Sequence, residues 1–240
     1  MDQAKNNIEQ FVLSLGITPK NMDYFTEAFT HRSFINERRK EKAGLSHNER
    51  LEFLGDAVLE LIASEYLFAK YPNRPEGELT SFRAATVKTE SLAYTARSLE
   101  YGQHLLMSHG EEATGGREKD YLLANTYEAV LGAIYLDQGY EACKEFVYRT
   151  LIPKVETIVE QRLDIDAKTK FQELAQEIFK LTPNYDLVSE SGPDHDKIFE
   201  MAVKVGDKTY GIGKGSTKQK AEESAAQKAL EEIAENKEKA

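Results

Sequence analysis

Apolar residues recur at intervals of three and four from Gln3 to about Leu163, the period of amphipathic helices. The pattern is broken by short turns such as those at residues 71–77 and 110–116. Apolar content falls around Asp164-Ile165-Asp166-Ala167, and beyond it the grammar changes. Residues 169–180 again predict an amphipathic helix, with Phe171, Leu174, Ile178 and Phe179 as its stripe. Three short runs at 184–189, 198–205 and 208–213 then read as strands; Val203 and Val205 alternate with Lys204, and Gly206-Asp207 supplies a hairpin turn. An Ala- and Glu-rich helix at 221–234 closes the series, with Ala221, Ala225, Ala226, Ala229 and Leu230 as its core contacts. The predicted fold is therefore mainly α: an all-α domain at 1–163, a linker at 164–167, a small α+β (α-β-β-β-α) domain at 168–236 and a charged tail at 237–240.

Within the helical part, His47-Asn48-Glu49-Arg50-Leu51-Glu52-Phe53-Leu54-Gly55-Asp56 is the most informative run. At about 100° per residue, Glu49, Glu52 and Asp56 share one face, and Leu51, Leu54, Val58, Leu61 and Ile62 take the opposite one. Phe53 stands among the acids without an apolar neighbour. Like charges at such spacings repel by roughly a few tenths of a kcal/mol per pair. Two readings stand: a solvated acidic face, with Glu49 closing a capping box that starts at Ser46, or a face that awaits a cation.

A second segment bears on that choice. Residues 121–136 are apolar nearly all the way round, as expected of a buried helix, yet Asn125 and Glu128 lie one turn apart on one face of it. A buried carboxylate is costly without a partner. Either Glu128 pairs with an arginine, Arg32 or Arg83 being the candidates, or it and Asn125 face a metal. Ala129, Gly132 and Ala133 would let another helix approach closely. If that neighbour is the Glu52/Asp56 helix, the product is an oxygen-only cluster suited to Mg2+ or Mn2+.

Composition narrows the classes. A single cysteine excludes an intramolecular disulfide or a Cys-based zinc site, and five scattered histidines argue against a His-rich one. The first residues, Met1-Asp2-Gln3-Ala4-Lys5, lack a basic stretch followed by an apolar core, and no apolar run reaches membrane-spanning length. A cytoplasmic protein without a membrane partner is the expectation. The net charge of −10 speaks superficially against nucleic acid. Locally the balance reverses: Lys208, Lys214, Lys218 and Lys220 fall in one stretch with no Asp or Glu between them. Lys218 and Lys220 stand at the start of the last helix, where free N–H groups and the dipole favour a phosphate. An ordinary solvated lysine face is the alternative. The loop Gly115-Gly116-Arg117-Glu118-Lys119 is equally a phosphate contact or a plain turn, and His31 reads as structural rather than as a base.

The run 47–56 resembles the signature of the ribonuclease III family. The resemblance extends through Thr30-His31-Arg32-Ser33-Phe34, Glu76-Gly77-Glu78-Leu79 with Arg83-Ala84, and Glu128-Ala129, while the second module is similar to a double-stranded RNA-binding domain. The resemblance implies an endoribonuclease that cuts double-stranded RNA to 5′-phosphate and 3′-hydroxyl ends, in the processing of rRNA precursors and structured mRNAs. It implies Mg2+ at Glu52, Asp56, Asn125 and Glu128, with Mn2+ as a substitute and no nucleotide cofactor. Asp56 and Glu128 match catalytic carboxylates, Glu49 the first acid of the signature, and Glu76 a loop acid near the scissile strand. Phe53 matches the aromatic that plugs into the partner of a homodimer. In the second module Gln172, Glu173, Pro193 and His195 match positions facing the minor grooves, and Lys214, Lys218 and Lys220 match phosphate contacts. Gln219 stands where a further basic residue is often found. Asn125 departs from the usual Asp, which leaves two expectations: weaker metal affinity with activity retained, or a double-stranded RNA-binding protein whose catalytic site has decayed.

Overall fold

The structure, a computed structural model, describes residues 2–38, 46–160, 162, 165–193 and 197–238. It divides into two compact units, Met1–Asp164 and Ile165–Ala240. The described residues of unit 1 form α1 (Asp2–Ser14), α2 (Met22–Ala28), α3 (Arg32–Glu37), α4 (Glu49–Lys70), α5 (Glu76–Val87), α6 (Thr89–Ser98), α7 (Tyr101–His104), α8 (His109–Ala113), α9 (Asp120–Gln138), α10 (Tyr140–Thr150) and α11 (Pro153–Glu160), joined by turns.

The core of unit 1 is built around α9. Its apolar circumference is used on every side: α4, α6, α2 and α10 all pack on it, and Leu123, Tyr127, Ala129, Val130, Leu131, Ala133 and Ile134 are buried. Aromatic rings close one end. Phe11 and Phe29 meet edge to face at 5.5 Å, and Tyr101 lies 5.3 Å from Phe29, a geometry that adds attraction beyond area burial.

The contact between α4 and α9 is the most extensive in the molecule, and glycine permits it. A methyl group on Gly55 would overlap the backbone carbonyl oxygen of Glu128, and one on Gly132 would overlap that of Leu51. The two backbones therefore touch directly. Gly139, at a positive φ (+87°) that favours glycine, ends α9 and donates its N–H to the Tyr135 carbonyl.

In unit 2, α12 (Ala167–Phe179) starts earlier than its hydrophobic period suggests. Asp166, read from sequence as linker, is its N-cap, accepting the Thr169 N–H at 3.0 Å, and Ala167 is already helical. Strands β1 (Asn184–Ser191), β2 (Ile198–Val205) and β3 (Lys208–Gly215) form an antiparallel sheet in the order β1-β2-β3. The turn falls at Gly206-Asp207, as expected, with Gly206 at φ +60°. Helix α13 (Lys218–Glu238) lies on β3, its buried Ala221, Ala225, Ala226 and Ala229 set against Gly211, Gly213 and Gly215, where any side chain would collide with helix backbone. From α12 come Phe171 and Ala175, both fully buried, whereas Ile178 of the expected stripe stays 43% exposed.

Gly132→Ala should destabilise the protein by about 2–4 kcal/mol in chemical denaturation, the overpacking cost far exceeding a helix-propensity gain of about 1 kcal/mol. Gly77→Ala, where an added methyl meets nothing within 4 Å, should be neutral or slightly stabilising. Equal effects at the two positions would contradict a backbone-to-backbone crossing.

Candidate active site

The α4–α9 crossing decides which acids meet. Because Gly55 rests on the Glu128 backbone, its helical neighbours Glu52 and Asp56 flank Glu128. All three carboxyl groups are held above their ordinary ionisation range. Burial pushes Glu128 up to about 8, with Asp56 and Glu52 adding negative charge. Glu52 is raised first by burial and then by Glu49 and Asp56. Asp56, more exposed, is raised by partial burial and by Glu60. Asn125, one turn before Glu128 on α9, hydrogen-bonds the Glu52 carboxylate, which partly offsets that rise.

The arginines do not neutralise the group. Of the two proposed from sequence as partners for Glu128, Arg32 approaches Glu49 at 3.5 Å and Arg83 donates to the Ser64 hydroxyl at 2.9 Å. Among the described residues Glu128 has no basic partner. The capping-box reading of Glu49 also fails. The N-cap of α4 is Asn48, without a side-chain cap bond, and its backbone N–H is donated to the Thr30 carbonyl at 3.0 Å. Glu49 is exposed and stands 3.8 Å from His47.

The donor set suits a hard divalent cation: carboxylate and amide oxygens only, mutually repelling and without an ammonium or guanidinium to hold them. As the side chains lie, no three of the His, Cys, Asp and Glu among the described residues form a ready-made ligand cluster. The acids are neighbours rather than a closed shell.

A polar cavity of about 350 Å3 opens beside them, bounded by Glu49, Glu52, Asn125, Arg32, Asn36 and Tyr121. Asn36 and Tyr121 carried no signal in the sequence pattern, because they come from α3 and from the rim of α9 and gain meaning only through the fold. His31 is structural, as expected. It caps α3, its Nδ1 lies 2.8 Å from the Ser33 hydroxyl, and burial lowers its pKa. Arg117 of the glycine loop is a structural tie, donating to the carbonyls of Gly102 and Leu105 and pairing with Glu112.

Glu76 is not brought into the cluster of its own chain. It begins α5, accepts the Thr80 hydroxyl at 2.9 Å and lines a separate cavity of about 490 Å3 with Leu61, Phe68 and Arg83. Phe53 projects from α4 with 80% of its surface exposed, and Leu61 (58%) and Phe68 (76%) follow it. Leu61, assigned from sequence to the core face, belongs to this outer stripe instead. It lies eight residues after Phe53 and so only about 80° round the helix from it.

In unit 2, Gln172 and Glu173 are exposed in the first half of α12, and Pro193 is exposed after Gly192 (φ +92°). His195 lies outside the described residues. Lys218 and Lys220 occupy the first turn of α13, which starts three residues earlier than predicted because the Thr217 hydroxyl accepts the Lys220 N–H at 3.2 Å. Lys214, at the end of β3, is exposed and sits 3.4 Å from Glu200.

Comparison with known proteins decides the family. Residues 21–155 match the model described as Ribonuclease-III-like, and residues 167–233 match the double-stranded RNA binding motif. The Ribonuclease 3 of Streptococcus gordonii is 48% identical over 216 residues, covering 90% of this chain and 92% of the relative. The chain belongs to the ribonuclease III family. The Ribonuclease 3 of Streptococcus sanguinis is 50% identical over 204 residues, covering 85% of this chain and 87% of the relative. A solved nuclease domain of ribonuclease III from Campylobacter jejuni superposes with a TM-score of 0.55 at 42% identity, over 60% of this chain and 95% of that one. That structure is described as flexible in a region involved in dimer formation. The protein is thus an endoribonuclease of the ribonuclease III type, with a double-stranded RNA-binding domain following the nuclease domain in the sequence. Among the described residues no helix is long and apolar enough to cross a membrane.

The ionisation of Glu128 has a sign that can be checked. Its proton is held more tightly in the folded metal-free chain, so the stability it contributes is complete below the ordinary carboxylate pKa and is lost as pH rises through about 8. Glu128→Gln should therefore gain on wild type by about 1–2 kcal/mol more at pH 8.5 than at pH 5, after discounting for solvent screening of a partly buried group. Denaturant unfolding in chelator at the two pH values measures this; a pH-independent difference would contradict it.

Proposed function

We propose that the chain is a Mg2+-dependent endonuclease acting on double-stranded RNA, working as a homodimer in the cytoplasm on rRNA precursors and structured mRNAs. The observation that carries the reading is the meeting of Glu52 and Asp56 on α4 with Asn125 and Glu128 on α9, with no basic partner for Glu128 among the described residues. These four would hold the divalent cation, with Mn2+ as a substitute. When bound, it supplies Lewis acidity for the attack of water on the scissile phosphodiester and for departure of the 3′-oxygen. The chain's own share is positional. Glycine-mediated contact fixes the two acidic helices, Asn125 ties the Glu52 carboxylate, and Arg32 restrains Glu49 at the mouth of the polar cavity. Glu76 serves as an accessory acid near the scissile strand. The products carry 5′-phosphate and 3′-hydroxyl ends.

The second unit supplies duplex affinity. Lys218 and Lys220 at the N-terminus of α13, with Lys214, meet phosphates. Gln172 and Glu173 of α12 and the loop holding Pro193 and His195 read the minor grooves by shape and 2′-hydroxyls. Dimerisation uses the exposed stripe on α4. Phe53 would enter a partner, and the cavity beside Leu61 and Phe68 offers a socket of suitable apolar character.

Incubation with a long RNA duplex, with and without Mg2+, tests the reading. Wild type should cleave only with the metal, and Glu128→Gln should lose at least about 100-fold in rate, the scale of removing a group that stabilises charge in the transition state. Asn125→Asp should tighten metal dependence while keeping activity. Duplex binding without cutting, rescued by Asn125→Asp, would instead establish the decayed-site alternative. The Lys218→Gln/Lys220→Gln pair should weaken duplex binding and lower its salt slope by about 2. In sedimentation, Phe53→Ala should shift the protein towards monomer; an unchanged dimer mass would remove Phe53 as the anchor.

A further inference from the structure

A further cavity lies on unit 1, away from the acidic cluster. It has a volume of about 380 Å3 and is bounded by α6, by α11 and by the turn where α5 ends, with Ala85, Tyr94, Pro153 and Ile158 forming most of its apolar wall. Its size falls in the range of small-molecule sites. One cation faces it from the first turn of α11. The Lys154 Nζ donates to the Thr95 hydroxyl at 2.6 Å and sits 4.1 Å from the centroid of the Tyr94 ring. Thr95 is itself buried and donates its proton to the Ser91 carbonyl at 3.0 Å, so its lone pair is fixed on the lysine.

This arrangement lacks an anion. Among the described residues no carboxylate pairs with Lys154, and its ammonium is held only by a hydroxyl, a more distant carbonyl and a ring face. Burial alone lowers its pKa, to about 8, with no negative charge acting to restore it. The position is unfavourable for a second reason: the first turn of a helix is the positive end of its dipole, which repels a cation and attracts an anion. Lys88 stands at the rim of the same cavity and adds positive charge. An open apolar pocket with a half-buried ammonium in its wall and no carboxylate beside it fits a ligand with a flat or branched apolar body and one negative end.

We propose that this cavity binds a small organic monocarboxylate, its apolar body against Tyr94, Ala85 and Ile158 and its carboxylate on the Lys154 ammonium. The site is separate from the nuclease chemistry and is independent of the assigned catalytic residues.

Titration of the full chain with benzoate, followed by calorimetry and by NMR shifts of residues around Tyr94, tests it. Benzamide serves as the neutral match and inorganic phosphate as the anion without an apolar body. Benzoate should bind saturably, and both comparison compounds at least about tenfold more weakly, equivalent to about 1.4 kcal/mol. Lys154→Met should lose at least about tenfold in benzoate affinity, while Lys154→Arg keeps most of it. Thr157→Trp, at an exposed position on the cavity wall, should block binding by covering the pocket while leaving the lysine in place. Absence of saturable benzoate binding, equal binding of benzamide, or undiminished binding by Thr157→Trp would each overturn the proposal. Duplex cleavage unaffected in Thr157→Trp separates this outcome from failure of the nuclease reading.

Discussion

Everything at the candidate active site depends on two helices coming closer than side chains normally allow. Gly55 on α4 and Gly132 on α9 are set against each other's backbones, one on the Glu128 carbonyl and the other on that of Leu51. Protein interiors are packed densely enough that a single methyl group is felt. The glycines cost helix stability, roughly 1 kcal/mol each relative to alanine, and that cost is offset by the buried apolar surface of α9. In return Glu52 and Asp56 stand beside Glu128 rather than a side-chain layer away.

The same closeness creates electrostatic tension within the fold. Three carboxyl groups share a partly desolvated region, and the two arginines that sequence offered as partners are occupied elsewhere, Arg32 with Glu49 and Arg83 with Ser64. Asn125 eases the tension in a way an aspartate would not: an amide N–H can be donated to Glu52, where a fourth carboxylate would repel it. The packing of unit 2 follows a simpler rule. Glycines in β3 let α13 lie flat on the sheet, and the helix N-terminus that results carries Lys218 and Lys220 into solvent.

Much of this was legible in the residues. The three-and-four period of α4, the all-round apolarity of α9, the small residues on α9 and the Gly206-Asp207 turn each act locally, and each local preference agreed with the final fold. Phe53 was readable as an outlier because an exposed aromatic among acids has no local reason to be there. What escaped was set by tertiary packing. Leu61 looked like core by its place beside Val58 and Ile62, yet it turned outwards because α9 covers only the arc of α4 centred on Gly55 and Leu59. Asn36 and Tyr121 line the same polar cavity only because the fold brings α3 and the start of α9 to it from distant stretches of chain, which periodicity does not encode. Glu76 shares the acidic chemistry of the cluster but belongs to a different cavity, since α5 lies along the second half of α4, beyond the crossing.

The proposed function requires the α4–α9 crossing to make one cation site from two helices. Adding Mn2+ at substoichiometric levels to isotopically labelled protein, and recording paramagnetic broadening of backbone amide signals, addresses it directly. Broadening should appear first and together around Glu52, Asp56, Asn125 and Glu128, on both helices. Broadening confined to α4 alone, or centred on acids outside the crossing such as those of α8, would contradict it.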